Sequence, residues 1–260
     1  MIILRSLLFN VLFFTYTAAT TLWMTLQLLI GGADLKPQVK RWAGGVLWLL
    51  ENIAGITYEL RGEEHIPKGG ALIAAKHQSA WDTMMFHRMV SRSVYVTKQE
   101  VTHIPLYGAV ARSIGSISID RQGGAKALKG LIRDCRAAFE SGHQIIIFPE
   151  GTRAAPGERI PYQPGIAAIY SQLGVPVAPV ALNSGLFWGR RSFFKRPGRI
   201  VVEFLTPIQP GLDRKVFLAE LETRIEQATA ALISEAKGVA GDLSPHSPSS
   251  TLVKPGDKSD

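Results

Sequence analysis

The pattern of polar and apolar residues divides the chain into a hydrophobic N-terminal segment and a longer part in which short apolar runs alternate with helical stretches. No charged residue lies between Arg5 and Asp34. As a helix, residues 6–30 would extend about 37 Å at ~1.5 Å per residue, enough to cross a hydrocarbon core of ~30 Å with some tilt. A cleaved signal peptide has a shorter apolar region and a small-residue cleavage site. The pattern therefore favours a retained membrane anchor over a signal peptide or a buried core helix.

Residues 41–58 form a second amphipathic segment that carries tryptophans and follows several basic residues. This composition is typical of a helix at the level of the lipid headgroups, and it also fits the first core helix of a soluble domain. The basic residues after the first segment outnumber Arg5 before it, so the positive-inside tendency places the rest of the chain in the cytoplasm. We assign residues 1–54 to membrane-associating helices.

From residue 55 onward, short apolar, β-branched runs alternate with helical stretches. The predicted strands are 56–60, 71–75, 94–97, 116–119, 145–148, 177–182 and 200–205. The predicted helices are 79–90, 125–140, 166–173 and 213–237. This alternation indicates an α/β domain over residues 55–237, with a largely parallel central sheet flanked by helices. Residues 238–260 are small, polar and proline-bearing, which is typical of a disordered tail.

The amino-acid composition limits the classes of partner and of reaction that fit this protein. Lys and Arg number 29 against 21 Asp and Glu, a formal charge of +8 that favours anionic partners such as lipid headgroups, phosphorylated metabolites or nucleic acid. The lone Cys135, within a predicted helix, excludes a disulfide framework and indicates a buried structural thiol. The sequence lacks the motifs of dinucleotide redox enzymes, P-loop NTPases, elbow-type serine hydrolases and zinc proteases.

What remains is a set of polar residues directly after apolar strands, where open α/β sheets bind ligands. The first set is HQSAWD, residues 77–82. Neutral His77 can take a proton near cellular pH, and a carboxylate on its other ring nitrogen would stabilise the cation. Asp82 reaches His77 only if the chain bends back, as an N-cap at Ser79 would allow. The same spacing resembles a capping box, so Asp82 is either a catalytic partner or only a helix cap.

A second set follows the predicted strand 116–119, where Asp120 and Arg121 stand side by side. The planar guanidinium of Arg121 can hold a phosphate through two hydrogen bonds. Alternatively, the two residues form a local surface pair of little energetic value. The residues alone leave both interpretations open.

A third set, EGTR, follows the uncharged strand 145–148. Gly151 allows close approach of the backbone to a ligand, and Thr152 and Arg153 can donate to phosphate oxygens. Glu150 can accept a hydrogen bond from a hydroxyl group. The set suits an acceptor that bears both a phosphate and an alcohol.

Four blocks together resemble a known family. HQSAWD (77–82), SISIDR (116–121), FPEGTR (148–153) and VPVAPVALN (175–183) are similar in order and spacing to the 1-acyl-sn-glycerol-3-phosphate acyltransferase (lysophosphatidic acid acyltransferase) family. The resemblance covers roughly residues 55–206 and comes with a compatible hydrophobic front. One His and Asp at this spacing are weak evidence, but four ordered blocks favour catalysis by the pair.

The resemblance implies a mechanism and partners. His77 is the expected general base on the free hydroxyl of lysophosphatidic acid, and Asp82 orients and charges the imidazole. The activated oxygen attacks the thioester of acyl-CoA or acyl carrier protein and gives phosphatidic acid. The residues implied in acceptor binding are Arg121, Glu150, Gly151, Thr152 and Arg153, with Glu150 near the glycerol. The expected protein is membrane-associated, faces the cytoplasm, and uses no cofactor, metal or nucleic acid.

Two features depart from the family pattern. Members often carry a lysine shortly after EGTR, where this chain has YQPG at residues 162–165. Residues 184–199 match no block and combine basic with aromatic side chains, which suits an anionic membrane face, the phosphates of a carrier, or an ordinary solvated loop.

The sequence alone is compatible with other functions. The acceptor could be glycerol-3-phosphate or another lysolipid. A serine-type lipid hydrolase would need a nucleophile, and no elbow serine is present. A non-catalytic membrane tether would keep the anchor without requiring His77.

Overall fold

The computed structural model describes residues 1–32 and 34–242. Its helices α1 to α8 are Ile2–Gly31, Lys36–Leu49, Ala80–Met89, Gln99–Thr102, Tyr107–Ser113, Gly124–Glu140, Gly165–Leu173 and Arg214–Asp242. Its strands β1 to β7 are Ile56–Arg61, Ala71–Ala75, Ser93–Lys98, Ile117–Ile119, Gln144–Ile147, Val177–Leu182 and Gly198–Phe204. A π-helical turn continues α2, and 3₁₀ turns lie at Glu63–His65 and Ser184–Leu186.

The strands form a seven-stranded sheet in the order β1-β7-β6-β2-β5-β3-β4. Neighbouring strands are parallel except β6 and β7, so β1 and β7 run against the other five. The α/β class with a largely parallel, helix-flanked sheet is confirmed. Because β2, β4, β5 and β6 share one direction, the polar segments that follow them meet at one edge of the sheet.

All seven predicted strands are present, with bounds that differ by at most two residues. Helices α4 and α5 were not predicted, because four and seven residues are too few to show a helical period. The last helix continues to Asp242, so residues 238–242, assigned to the tail, are helical. The remainder of that tail, 243–260, lies outside the described residues.

Strand β2 shows how the sheet separates two hydrophobic cores. Its residues are all buried; Ile73 and Ala75 face the core formed with α1, α2 and α3, whereas Leu72 and Ala74 face the core formed with α6, α7 and α8. Side chains alternate between the two faces of a strand, so a strand covered on both sides reads as a continuous apolar run.

Helix α1 packs along the domain on one side and exposes apolar residues on the other. Phe9 and Met24, about four turns apart, are buried against the domain. Leu8, Trp23 and Ile30 are among its exposed residues. Within the described residues, α1 is the one helix long and apolar enough to cross a membrane. These features support membrane association.

Candidate active site

The HQSAWD segment brings His77 and Asp82 into contact. Strand β2 ends at Ala75, and α3 begins at Ala80 with Ser79 as its N-cap. The chain bends back at this junction, so Nδ1 of His77 lies 3.0 Å from Oδ2 of Asp82. The predicted bend is confirmed.

Asp82 also completes a capping box, so one carboxylate both caps α3 and contacts His77. Its Oδ2 accepts the backbone N–H groups of Gln78 at 2.7 Å and Ser79 at 2.8 Å. Ser79 Oγ accepts the N–H of Trp81 at 3.1 Å. The hydrogen bonds that cap α3 therefore also hold the carboxylate against the imidazole.

Ser184, which was not predicted as a site residue, hydrogen-bonds to the other carboxylate oxygen of Asp82. Its hydroxyl donates to Oδ1 at 2.6 Å, and both side chains are fully buried. Ser184 begins the 3₁₀ turn after β6, the sheet neighbour of β2, and Gly185 N–H donates to the Gln78 side chain at 3.0 Å. A polar residue directly after a buried strand was the available signal.

The imidazole of His77 lines a cavity of about 790 Å³. Its ring lies parallel to that of Phe148, with centroids 4.0 Å apart. Since Nδ1 faces Asp82, Nε2 is the nitrogen left to act on a ligand. The site can therefore move a proton at Nε2.

A second histidine, His87, also lines this cavity but has different partners. Its Nδ1 lies 2.9 Å from Ser93 Oγ, a hydroxyl rather than a carboxylate. Burial, with a smaller contribution from the charge of Lys40, lowers the pKa of His87 to about 4. His87 is therefore neutral and a weak base near neutral pH.

The EGTR loop passes directly beside His77. Ala154 N–H donates to the carbonyl oxygen of His77 at 2.8 Å, which places Arg153 next to the base. Arg153, Thr152 and Gly151 all line the cavity, and Arg153 is partly buried. The loop and the His77–Asp82 pair thus share one cleft.

Arg121 reaches the same cleft from the loop after β4. Its guanidinium donates to the carbonyl oxygen of Gly151 and lines the cavity. Gly151 has φ +70°, a left-handed conformation that favours glycine, and a Cβ there would lie 3.1 Å from Arg121 Nη1. Asp120 instead accepts the backbone N–H of Gln122 at 2.9 Å. Arg121 is therefore not a simple surface partner of Asp120.

Glu150 is placed differently from the expectation that it lies near the acceptor hydroxyl. Its side chain is buried, with Oε2 accepting the backbone N–H of His77 at 2.7 Å and Oε1 lying 2.7 Å from Lys76 Nζ. Burial raises its pKa to about 7 although the charge of Lys76 acts in the opposite direction. The carboxylate points into the protein and supports His77 from behind.

Lys76 continues this buried cluster to the last helix. Its Nζ also lies 2.7 Å from Oε1 of Glu226 on α8, and Tyr162 donates to the same oxygen at 3.1 Å. The cluster ties β2, the EGTR loop and α8 together beneath the catalytic candidates. Breaking one partner of such a buried pair is costly, because a buried charge is left uncompensated.

One hydrophobic cluster contributes apolar side chains to the cavity lining. This cluster includes Met24 of α1, Val39 and Trp42 of α2, Val110 of α5, and Ile114 directly after α5. An apolar space reached from a polar mouth suits a hydrocarbon chain with a charged head.

The described residues show no cluster of three or more His, Cys, Asp or Glu side chains that could hold a metal ion. Cys135 is buried in α6, and burial raises the pKa of its thiol to about 12. A thiol in this setting is a poor nucleophile. The His77 imidazole, held by the Asp82 carboxylate, and the guanidinium groups of Arg121 and Arg153 are the candidate reacting and binding groups of the cleft.

Comparisons with known proteins assign this chain to a family. A family model described as Acyltransferase matches residues 57–183. A relative from Pseudomonas aeruginosa named 1-acyl-sn-glycerol-3-phosphate acyltransferase is 31% identical over 95% of this chain and 96% of that protein. The chain belongs to the acyltransferase family.

Other comparisons place this acyltransferase among related enzymes and folds. A 1-acyl-sn-glycerol-3-phosphate acyltransferase of Limnanthes alba is 33% identical over 64% of this chain and 58% of that protein. A lyso-ornithine lipid O-acyltransferase of Pseudomonas aeruginosa is 27% identical over 79% and 83%. The crystal structure of the 1-acyl-sn-glycerophosphate (LPA) acyltransferase PlsC from Thermotoga maritima is similar in fold, with a TM-score of 0.74 over 89% of this chain and 98% of that chain at 20% identity.

The family match includes the His77–Asp82 pair and the EGTR loop of this acyltransferase, and it ends at Asn183. Ser184, the third partner in the hydrogen-bond chain, lies one residue beyond it. The buried partners Lys76 and Glu226 were also not predicted, since nothing in a sequence indicates which charges 150 residues apart will pair.

Proposed function

We propose that this acyltransferase transfers a fatty acyl group from a thioester donor to the free hydroxyl of 1-acyl-glycerol-3-phosphate, giving phosphatidic acid. One observation carries the proposal: His77, which contacts Asp82, and the Arg153 loop line one cavity, joined by the hydrogen bond from Ala154 N–H to the His77 carbonyl oxygen. Proton transfer at an alcohol and recognition of its neighbouring phosphate are thereby supplied side by side.

In the proposed reaction, Nε2 of His77 takes the hydroxyl proton as the oxygen attacks the thioester carbonyl. Asp82 stabilises the imidazolium that forms. A carbon–oxygen bond forms, the carbon–sulfur bond breaks, and the proton passes from His77 to the departing thiolate. The donor thioester is already activated, so no acyl-enzyme and no cofactor are required.

The acceptor phosphate is assigned to Arg153, with the Thr152 hydroxyl, the loop backbone at Gly151 and the guanidinium of Arg121. An arginine fork matches two phosphate oxygens, and such charge-assisted hydrogen bonds are stronger than neutral ones. The apolar end of the cavity suits the fatty chain of a substrate. We propose acyl-CoA or acyl carrier protein as the acyl donor.

Replacing Arg153 by alanine tests the phosphate assignment. Loss of a charge-assisted pair worth about 1.5–3 kcal/mol should raise KM for lysophosphatidic acid roughly ten- to a hundredfold. KM for the thioester should stay nearly unchanged. Steady-state assays should pair both thioester donors with lysophosphatidic acid, glycerol-3-phosphate and a lyso-ornithine lipid, so that the same experiment identifies the acceptor.

Arg159→Ala is the matched control, because Arg159 is exposed and outside this cavity. It should leave both KM values as they are. An equal rise in KM for acceptor and donor in Arg153→Ala would contradict the assignment. Turnover of the lyso-ornithine lipid in preference to lysophosphatidic acid would contradict the proposed acceptor.

We also propose that the active site faces the cytoplasm. Lys36, Lys40 and Arg41 follow α1, whereas Arg5 is the charged side chain before its apolar stretch, and the positive-inside tendency favours the more basic side in the cytoplasm. A reporter enzyme that works only in the cytoplasm should be active when fused to the carboxyl terminus. Activity of an exoplasmic reporter at that position would contradict the proposed orientation.

A further inference from the structure

The loop between the turn after β6 and the start of β7 brings two arginines to the cavity that the proposed reaction leaves without a role. Residues 187–197 are named the arginine loop here. Arg190 and Arg191 are exposed, and both line the cavity that holds His77 and Arg153. Arg190 Nη1 donates to the carbonyl oxygen of Arg153 at 3.2 Å. The loop is therefore a wall of the active-site cleft.

The base of the arginine loop is fixed to α1. Lys195 is buried, and its Nζ donates to Asn10 Oδ1 at 3.0 Å and to the carbonyl oxygen of Phe193 at 2.9 Å. The same ammonium lies 4.9 Å from the ring centre of Trp188, and Lys195 N–H donates to Ser6 Oγ at 2.9 Å. This anchoring holds the two arginines at a defined place on the cleft.

Arg191 has φ +54°, a left-handed backbone conformation that residues other than glycine rarely adopt. Such strain persists where the surrounding structure enforces it, and it is concentrated at ligand sites. The strain at Arg191 occurs at a residue that faces the cleft. It is consistent with a loop shaped to present a guanidinium group there.

Four guanidinium groups line this cavity, those of Arg121, Arg153, Arg190 and Arg191. Among the ion pairs of residues 1–32 and 34–242, none joins one of these four to a carboxylate. Burial lowers the pKa of Arg153; the charge of Asp82 opposes this shift, and the charge of Arg190 adds to it. One phosphate monoester brings a charge of only about −1.5 to −2, which leaves room for a second anionic group.

The sheet order separates the four arginines into two pairs. Strand β2, which leads to His77, lies between β5 and β6. Arg153 follows β5 and Arg121 follows β4 on one side, whereas Arg190 and Arg191 follow β6 on the other side. A transfer reaction needs two substrates at the same base. Arg190 and Arg191 reach the cleft from the strand on one side of β2 and Arg121 and Arg153 from the strands on the other, and the two pairs meet where Arg190 bonds the Arg153 carbonyl oxygen.

We propose that Arg190 and Arg191 bind the phosphate groups at the far end of the thioester donor's pantetheine arm. The inference rests on the proposed function, because that function assigns the acceptor phosphate to Arg153 and Arg121. Coenzyme A and acyl carrier protein both present a phosphate on this arm, so the subsite recognises chemistry that the two donors share.

The double variant Arg190→Gln/Arg191→Gln tests the subsite, since glutamine removes both charges and keeps a donor for the Arg153 carbonyl. KM for acyl-CoA and for acyl carrier protein should each rise about tenfold or more, because charge-assisted phosphate contacts are lost. KM for lysophosphatidic acid should not change. The acyl thioester of N-acetylcysteamine, which has no phosphate, should be used equally well by the variant and the unaltered protein.

Arg196→Gln is the matched control, an exposed arginine of the same loop that does not line the cavity. It should leave every KM unchanged. A rise in KM for the acceptor alone would overturn the proposal in favour of an extended acceptor site. Weaker binding to anionic phospholipid vesicles with both KM values unchanged would overturn it in favour of a headgroup contact.

Direct binding separates this inference from the proposed function. Coenzyme A should bind the unaltered protein in detergent micelles and should bind the double variant about tenfold more weakly, as measured by calorimetry without any acceptor. Equal binding would overturn the donor subsite even if the enzyme acylates lysophosphatidic acid. Failure of acylation with coenzyme A binding that depends on the two arginines would overturn the acceptor assignment alone.

Discussion

His77→Ala should abolish acyl transfer, with kcat/KM falling by about 10³- to 10⁴-fold. A positioned general base typically contributes a factor of about 10²–10⁴, and the base in the proposed reaction also returns the proton to the leaving thiolate. The substitution leaves the backbone N–H of His77 bound to Glu150, so the loop retains its anchor. Initial rates with lysophosphatidic acid and a thioester donor measure the effect.

The controls for His77→Ala separate chemistry from folding. The variant should unfold at a temperature close to that of the unaltered protein and should remain in the membrane fraction. His103→Ala, at an exposed position after α4, should retain full activity. Near-normal turnover by His77→Ala would remove the general-base assignment.

The sequence predicts the strands well because each is a short β-branched run bounded by glycine or proline. It does not predict their order in the sheet, which depends on contacts between distant segments. β1 pairs with β7, more than 130 residues later, and β7 is antiparallel to β6. The helices α4 and α5, which contribute Val101 and Val110 to the cavity wall, were missed for lack of a visible period.

Glu150 shows that residues next to each other in a motif need not all contact the same ligand. Gly151, Thr152 and Arg153 line the cleft, yet Glu150 points inward to Lys76 and the His77 backbone. Consecutive side chains in a tight loop face different directions, so a motif that suits one ligand need not place every member on it. The positive φ of Gly151 marks the turn at which the direction changes.

Asp82→Asn should reduce kcat/KM by about 10³-fold or more while changing stability little. The asparagine side-chain oxygen can still accept the N–H groups of Gln78 and Ser79, and its amide group can donate to the Ser184 hydroxyl, so the cap of α3 survives. What is lost is the negative charge that stabilises the His77 imidazolium in the proposed reaction. Activity assays and urea unfolding of the same preparation measure the two quantities.

Ser79→Ala is the matched control for Asp82→Asn, because it removes the other side chain of the capping box and leaves the carboxylate in place. It should cost about 0.5–2 kcal/mol of unfolding free energy and retain most of the activity. The two variants should therefore show opposite patterns, one losing catalysis and the other stability. If Asp82→Asn loses stability by this amount and keeps its activity, Asp82 is only a helix cap and the proposed pair with His77 has no catalytic role.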